Sequence, residues 1–415
     1  MFQNKFEKFK NRIALSDQKR KLKYSDLLRI SKKFKKKISS KYLTFLVCDN
    51  DIDSVSIYTS LMNNGCPICL LDTNINKEDL LKLINLYSPK YIFIRRDQDI
   101  NLHLPKYKCF KILKDYFFYE NFNKINYKIN KNIHLLLATS GSTNEPKFVK
   151  LSKLNILSNT LSIIKYLKIS KDDISLTTMP MQYSYGLSVL NTHLLSGAKM
   201  IMNKDSIISK NFLKKVKKEK VSNLNGVPFS YEMLLRIGLN KIISNNLRLL
   251  TQAGGELNIE LIKKIYDIIS KKKISFYTMY GQTEASPRIS YLKITKKICK
   301  YKKVPIGRPL RGTKIYVNKK KEIIFEGPNI YGGYSYKLSD LRYYKFQKKL
   351  STNDIGFKNK LGEIFITGRR SRSIKLYGHR INLDYLEKKI EANFKCNVIT
   401  LLKNNKIAIF ADKKI

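Results

Sequence analysis

The chain has no tryptophan, 4 histidines and 6 cysteines in 415 residues, and it sets 32 acidic residues against 81 Lys and Arg. Six cysteines over this length do not make a disulfide scaffold. The one close pair, Cys66 and Cys69 in "NNGCPICLLD", has the C-x-x-C spacing of a redox or half-zinc motif. No second pair follows at finger spacing, and histidine is scarce. Apolar flanks mark the segment as a buried strand instead. No apolar stretch reaches membrane-spanning length, and the N-terminus "MFQNKFEKFKNRIALSDQKRK" lacks the apolar core of a secretory signal. These absences set the expectation of a reduced, cytoplasmic protein without a membrane span.

What is abundant is positive charge, +49 in net terms. Such a balance ordinarily points to nucleic acid or an anionic surface. Here the lysines are spread through "KKFKKKISSK", "KKVKKEKV", "SKKKISF", "KKICKYKK" and "VNKKKEI" instead of gathering in one tail. Lys, Asn, Ile and Tyr are all common, as an A/T-rich coding sequence would make them. Solvated lysine faces are therefore expected, with salt-sensitive, nonspecific polyanion binding as a by-product. No zinc finger, RNA-recognition signature or basic zipper occurs, so a specific nucleic-acid partner is not expected. With 43% hydrophobic residues, the chain has ample material for a large domain plus a smaller one.

Short apolar strands alternate with amphipathic helical stretches, which predicts a mainly parallel α/β architecture. "YLTFLVCDN" (42–50) reads as a strand, "DIDSVSIYTSLMNNG" as a helix ending at Gly65, and "CPICLLD" as the next strand. "KEDLLKLINLYSPKYIFI" repeats the helix-to-strand step, and residues 98–131 read as a basic, aromatic-rich connector. From about residue 304 the texture changes to turns and short strands, a smaller β-rich subdomain.

"HLLLATSGSTNEPKFVKLS" (134–152) passes from an apolar run to small, polar positions and then to a Pro-Lys pair. Backbone N–H groups in such a turn can cradle an anion. Thr139, Ser140, Ser142 and Thr143 add hydroxyls beside Gly141, and Lys147 supplies a cation. That chemistry suits a polyphosphate, yet the loop is not a Walker A motif, since no second Gly precedes Lys147. With "GVPFSYEML", "AGGEL", "YGQTEAS" and "TNDIGFKNKLGEIFITGRRSRSIKLYGHRINLDYLE", it resembles the adenylate-forming (AMP-binding) superfamily. Acyl-CoA synthetases, peptide-synthetase adenylation domains and luciferases belong to that family. The resemblance begins near residue 11, in "NRIALSDQKRKLKYSDLLRISKKFKKKI", and runs to the C-terminus.

The resemblance implies a large N-terminal domain, 1–370, of βαβ subdomains plus a β-rich part. A small, shortened α+β mobile domain, 371–415, would follow it. It implies an ATP-dependent, AMP-forming ligase that makes an acyl-adenylate and passes the acyl group to the thiol of coenzyme A or of a carrier protein's phosphopantetheine. The loop Thr139 to Lys147 would hold the β- and γ-phosphates. Tyr280 would lie near adenine, Thr283 would donate to the α-phosphate and Glu284 would bind Mg²⁺, a cation that takes hard oxygen ligands. Asp354 would accept the ribose hydroxyls and Arg369 would brace ribose and phosphate. Gly254, Gly255 and Glu256 would line the adenine side and the neighbouring pocket. Lys375 and Gly378 match positions thought to serve the thioester step.

Several positions depart from the family pattern. Asn144 and Phe148 replace usual glycines, and Phe148 would place bulk beside the phosphates. Ser371 stands at the hinge, where Asp or Lys is usual. The family's distal lysine for adenylation falls beyond "LLKNNKIAIFADKKI". The alternatives are a fragment, a short form with impaired adenylation, and a non-catalytic or partner-completed adenylate-fold protein that binds nucleotide.

On the acyl side, "MPMQYSYGLSVLNTHLLSGA" (179–198) would border the pocket through Tyr183, Tyr185 and Gly186, with Asn225, Gln252, Ala253, Thr278 and Met279 as further walls. Peptide-synthetase domains place an Asp in the first segment to pair the substrate ammonium, and none occurs between Met179 and Ala198. An unpaired ammonium in a closed pocket is costly, so a small to medium non-amino acid is expected. His193 reads as a structural histidine.

Overall fold

The first βαβ units form where the sequence predicts them. The computed structural model describes residues 1–97, 104–113, 115–123, 127–139, 147–376, 379–394, 396–403 and 406–412; the side chains of 111, 112, 371, 373–376, 379–382, 385, 392 and 403 lie outside that description. The strand Thr44–Cys48 is buried throughout, and it pairs in parallel with Ile68–Asp72 on one side and Tyr91–Arg95 on the other. Burial on both faces is why this strand reads as a continuous apolar run. Helix Ile52–Asn64 starts at Asp51, whose carboxylate accepts the Ser54 N–H, and stops at Gly65 with a left-handed φ of 73°. Cys69 lies inside the Ile68–Asp72 strand and Cys66 just before it, both thiols pushed up by burial.

Eight strands form the first sheet, in the order Tyr334–Ser335, Phe148–Leu151, Leu135–Ala138, Ile68–Asp72, Thr44–Cys48, Tyr91–Arg95, Tyr116–Asn121, Tyr107–Leu113. The stretch 98–131, read as a connector, thus contributes an antiparallel hairpin that closes one edge. Its basic residues hid the apolar alternation of "YFFYEN", where Tyr116, Phe118 and Asn121 turn inward.

The second large sheet has nine strands. At its centre Asn223–Gly226, Leu249–Gln252 and Ser275–Gly281 run in parallel, and Arg288–Lys293 returns antiparallel beside the last. Helices Ile52–Asn64 and Ser184–Ser196 are buried almost all round, and Tyr58 of one donates to Asn191 Oδ1 of the other at 3.1 Å. They share one apolar core with Leu46 and Leu137 of the first sheet and Leu15 and Met200 of the second. Gly226, Gln252 and Thr278 lie side by side at one end of the three parallel strands, the last continuing to Gly281, and this is the edge where open α/β sheets bind ligands.

A four-stranded antiparallel sheet follows, ordered Lys314–Val317, Glu322–Glu326, Leu350–Lys358, Ile364–Arg369. After it come two hairpins flanking helix Leu383–Phe394. The α/β class with a β-rich part and a small α+β tail matches the expectation. Among the described residues no helix is long and apolar enough to cross a membrane.

Candidate active site

The strands on either side of the expected polyphosphate loop pair as a hairpin. Leu135–Ala138 runs out of the sheet, Phe148–Leu151 returns antiparallel, and the Thr139 N–H donates to the Lys147 carbonyl at 3.3 Å. Ser140, Gly141, Ser142, Thr143 and Asn144 lie outside the described residues. Phe148, expected to place bulk beside the phosphates, turns its ring away from the Lys147 side of the strand. Strand alternation turns its ring into the core, edge-on to Tyr87 with centroids 5.6 Å apart, and leaves it 2% exposed.

Lys147 points the other way, its Nζ 3.6 Å from the centroid of the Tyr334 ring. Tyr334 is held there by the edge strand Tyr334–Ser335, which pairs with Val149 and Phe148. The preceding "YGGY" docks on the same hairpin through Gly332 N–H to Lys150 O at 2.8 Å and Lys150 N–H to Gly333 O at 3.0 Å. Gly333 needs its φ of 98°, and a Cβ on Gly332 would collide with the Tyr344 ring. The Tyr334 hydroxyl donates to Glu284 Oε1 at 2.8 Å, and the Tyr331 N–H donates to the Glu284 carbonyl at 2.9 Å. Burial, with the Glu284 charge beside it, pushes the Tyr334 hydroxyl up, so it remains a donor. Tyr334 thus meets, through its ring and its hydroxyl, the cation and the carboxylate that the resemblance assigns to the phosphates.

Glu284 belongs to a short 3-10 turn, Thr283–Ala285, at the end of Ser275–Gly281. The Thr283 hydroxyl donates to Ser184 Oγ at 3.3 Å, tying this turn to the start of helix Ser184–Ser196. Across the site, Asp354 and Arg369 stand opposite each other on paired strands. Asp354 Oδ1 accepts from Arg369 Nε at 3.1 Å and Oδ2 from the Tyr280 hydroxyl at 2.5 Å. Burial raises the Asp354 carboxyl above its ordinary range despite these two partners.

Gly254 and Gly255 expose backbone beside the ends of the parallel strands, and a Cβ on either would press within 3.2 Å of Val227 or 3.1 Å of Pro228. Glu256 pairs with Lys388 of the C-terminal helix and lies 3.7 Å from Lys303.

On the acyl side, Tyr183 is 56% exposed at the mouth. Tyr185 is buried with its hydroxyl 2.8 Å from Thr251 Oγ1, and Thr251 donates to Asn225 Oδ1 at 2.6 Å. Both residues are thereby committed to the wall's own hydrogen bonds. Gly186 packs so tightly that a Cβ would lie 2.3 Å from the Pro180 carbonyl oxygen, and Thr278 is buried on its strand. His193 bonds the Val189 carbonyl through Nδ1 at 2.8 Å and the Asn223 amide through Nε2 at 3.0 Å. Burial lowers its pKa, which suits a structural, neutral imidazole.

Residues 2–335 match the model of one known family, described as AMP-binding enzyme. The chain belongs to the AMP-binding enzyme family. It is 24% identical over 359 residues to a D-alanine--D-alanyl carrier protein ligase of Staphylococcus epidermidis, covering 83% of this chain and 73% of that protein. It is 26% identical over 349 residues to a 2-succinylbenzoate--CoA ligase of Bacillus cereus, covering 80% and 69%. Among solved structures, unliganded O-succinylbenzoate coenzyme A synthetase from Bacillus subtilis has a TM-score of 0.77 at 17% identity, over 99% of this chain and 93% of that one. The expected adenylate-forming fold is thus borne out, as is the class of AMP-forming acid–thiol ligases.

In this AMP-binding enzyme the small C-terminal part joins the body through the 3-10 turn Arg370–Arg372, which contains Ser371. The Arg369 N–H donates to Asp384 Oδ2 at 2.7 Å, across that turn. The backbone of Lys375 pairs with that of Arg380; its side chain and Gly378 lie outside the description. Tyr334 and Ser184 touch the expected site residues and were not singled out by the sequence. For Tyr334 the available signal was "YGGY", a tight double-glycine approach ending in an aromatic.

Proposed function

We propose that this AMP-binding enzyme activates a non-amino carboxylic acid with ATP and passes the acyl group to a thiol, either coenzyme A or a carrier protein's phosphopantetheine. The observation that carries this reading is the contact of Tyr334 with both Lys147 and Glu284, in company with Thr283 and the Tyr280–Asp354–Arg369 set. A cation, a hydroxyl and a carboxylate for the phosphates stand apart from an acceptor for the ribose, as an adenylating site requires. In the first step a substrate carboxylate oxygen bonds the α-phosphorus while the bond to the pyrophosphate oxygen breaks. In the second the acceptor sulfur, having lost its proton, bonds the acyl carbon and the bond to the AMP oxygen breaks.

The chain's work in step one is positioning and charge stabilisation. Lys147 leaves the Tyr334 face for phosphate oxygens, and Thr283 donates to the α-phosphate. Glu284 fits a Mg²⁺ held mainly by phosphates, since that ion commonly takes only one or two carboxylates. Among the described residues no three His, Cys, Asp or Glu gather to cage a metal by themselves. When bound, the ion would neutralise charge developing on the phosphates. Asp354, ionised, accepts the ribose hydroxyls with Arg369 behind it. Residues 371–415 form the mobile domain, turning about Ser371 to bring Lys375 to the thioester step.

A non-amino acid is favoured because no carboxylate lies between Met179 and Ala198 to meet an ammonium. Thiol acceptors agree with the names of the two ligases described above. Acid- and thiol-dependent AMP release tests the reading. Glu284→Ala and Lys147→Ala are each expected to lower it by about 100-fold or more; variants that keep the wild-type rate would show the site is misassigned.

A further inference from the structure

Arg288 is among the largest fully buried side chains of the protein, 2% exposed. Its backbone is clamped where the strand Arg288–Lys293 begins. The N–H donates to Asn159 Oδ1 at 3.2 Å, and the carbonyl accepts from Asn159 Nδ2 at 2.8 Å and Asn329 Nδ2 at 3.0 Å. The side chain runs into the interior, its guanidinium carbon 5.1 Å from the centroid of the Tyr185 ring. Tyr166 borders it on another side: burial pushes the Tyr185 hydroxyl up to about 12 and the Tyr166 hydroxyl up as well, each against the pull of the Arg288 charge.

Among the described residues no carboxylate lies within ion-pair distance of this guanidinium, and its buried Nε has no hydrogen-bond partner. A buried cation without a counter-charge is costly, and the Tyr185 ring face and the Tyr166 hydroxyl offset only part of that cost. Among the described residues no counter-charge faces it. The place where it is missing adjoins the reaction centre. Thr283 touches Ser184, Ser184 precedes Tyr185, and Tyr185 lies under Arg288. Tyr166 donates to the sulfur of Met279, the residue before Tyr280.

We propose that Arg288 is the specificity-determining residue of the acyl pocket and pairs with a second carboxylate at the far end of the substrate, so that the acid activated is a dicarboxylate. The inference rests on the ligase reading above. The reacting carboxylate is the poorer partner, because a guanidinium fork would withdraw charge from the oxygen that must attack phosphorus. The same cation repels an ammonium, in keeping with the absence of an acid between Met179 and Ala198.

The test uses the full 415-residue chain and non-hydrolysable acyl-sulfamoyladenosines of the succinyl, glutaryl and adipyl series. Each is paired with the isosteric primary amide of its distal carboxylate, and affinities are read by calorimetry. At one chain length the free carboxylate is expected to bind at least about 10-fold tighter than its amide. Arg288→Lys should retain part of that preference and Arg288→Met none. Equal affinity of acid and amide at every length, with the analogues still bound, would overturn the inference and leave the ligase reading standing. Loss of all binding, AMP included, would overturn both. The wild-type comparison decides even if a variant does not fold.

Discussion

Tyr334 is where the chemistry of this site is most concentrated. Its ring faces Lys147 and its hydroxyl holds Glu284, so it fixes both groups before nucleotide arrives. Tyr334→Phe keeps the ring and deletes one charge-assisted hydrogen bond. A loss of about 10-fold in AMP formation is expected, the equivalent of roughly 1.5 kcal/mol, with a larger loss in Tyr334→Leu. Steady-state rates of the two variants check the order. Asp354 gives a pH signature. Burial lifts its carboxyl above the ordinary range, and in the proposed role only the ionised form would accept both ribose hydroxyls. AMP affinity should therefore fall as the pH is lowered, beginning above the usual aspartate range, while Asp354→Asn binds weakly with little pH dependence over that interval. The sign for the fold is opposite. A raised carboxyl favours the folded state at low pH and loses that advantage as pH rises through the folded pKa. At neutral pH the Asp354→Asn melting temperature should equal or exceed that of the wild type.

At the level of strands and helices, the hairpin behind the phosphate loop depends on Phe148. Its ring packs edge-on to Tyr87, so Phe148→Ala should destabilise the protein by about 3–5 kcal/mol in urea unfolding. The family-like glycine at this position should not raise activity. The sequence shows a bulky residue beside a loop; which face the residue occupies depends on strand register, which only pairing with Ala138 defines. The same limit explains other gaps. Buried strands such as Thr44–Cys48 and capped helices such as Ile52–Asn64 are legible because period, cap and stop signal agree. The hairpin Tyr107–Leu113 with Tyr116–Asn121 is not, because charges interrupt its alternation. Resemblance proposes the motif residues Lys147, Tyr280, Glu284, Asp354 and Arg369 for a nucleotide site. Arg288 could not be singled out, being one of 81 basic residues and distinguished only by burial.

For the molecule as a whole, the net charge of +49 is carried largely by solvated faces. Helix Lys210–Lys218 buries Phe212 and Val216, pairs Lys215 with Asp205 and gives Lys210, Lys214, Lys217 and Lys218 to the surface. The C-terminal part touches the body through the pair of Lys388 with Glu256, near the ends of the parallel strands. Exposed pairs contribute about 0.2–1 kcal/mol, so Lys388→Ala should shift domain positions by no more than about 5-fold. Faster proteolysis in 370–372 would report it, with adenylation changed less than thioester formation. Adenylation is the central activity proposed for this enzyme. The most direct measurement is ATP–pyrophosphate exchange by the purified chain against a panel of mono- and dicarboxylic acids and α-amino acids. Exchange that requires a non-amino carboxylic acid and disappears in Glu284→Ala is the predicted result. No exchange with any acid, or exchange driven by α-amino acids alone, would contradict it.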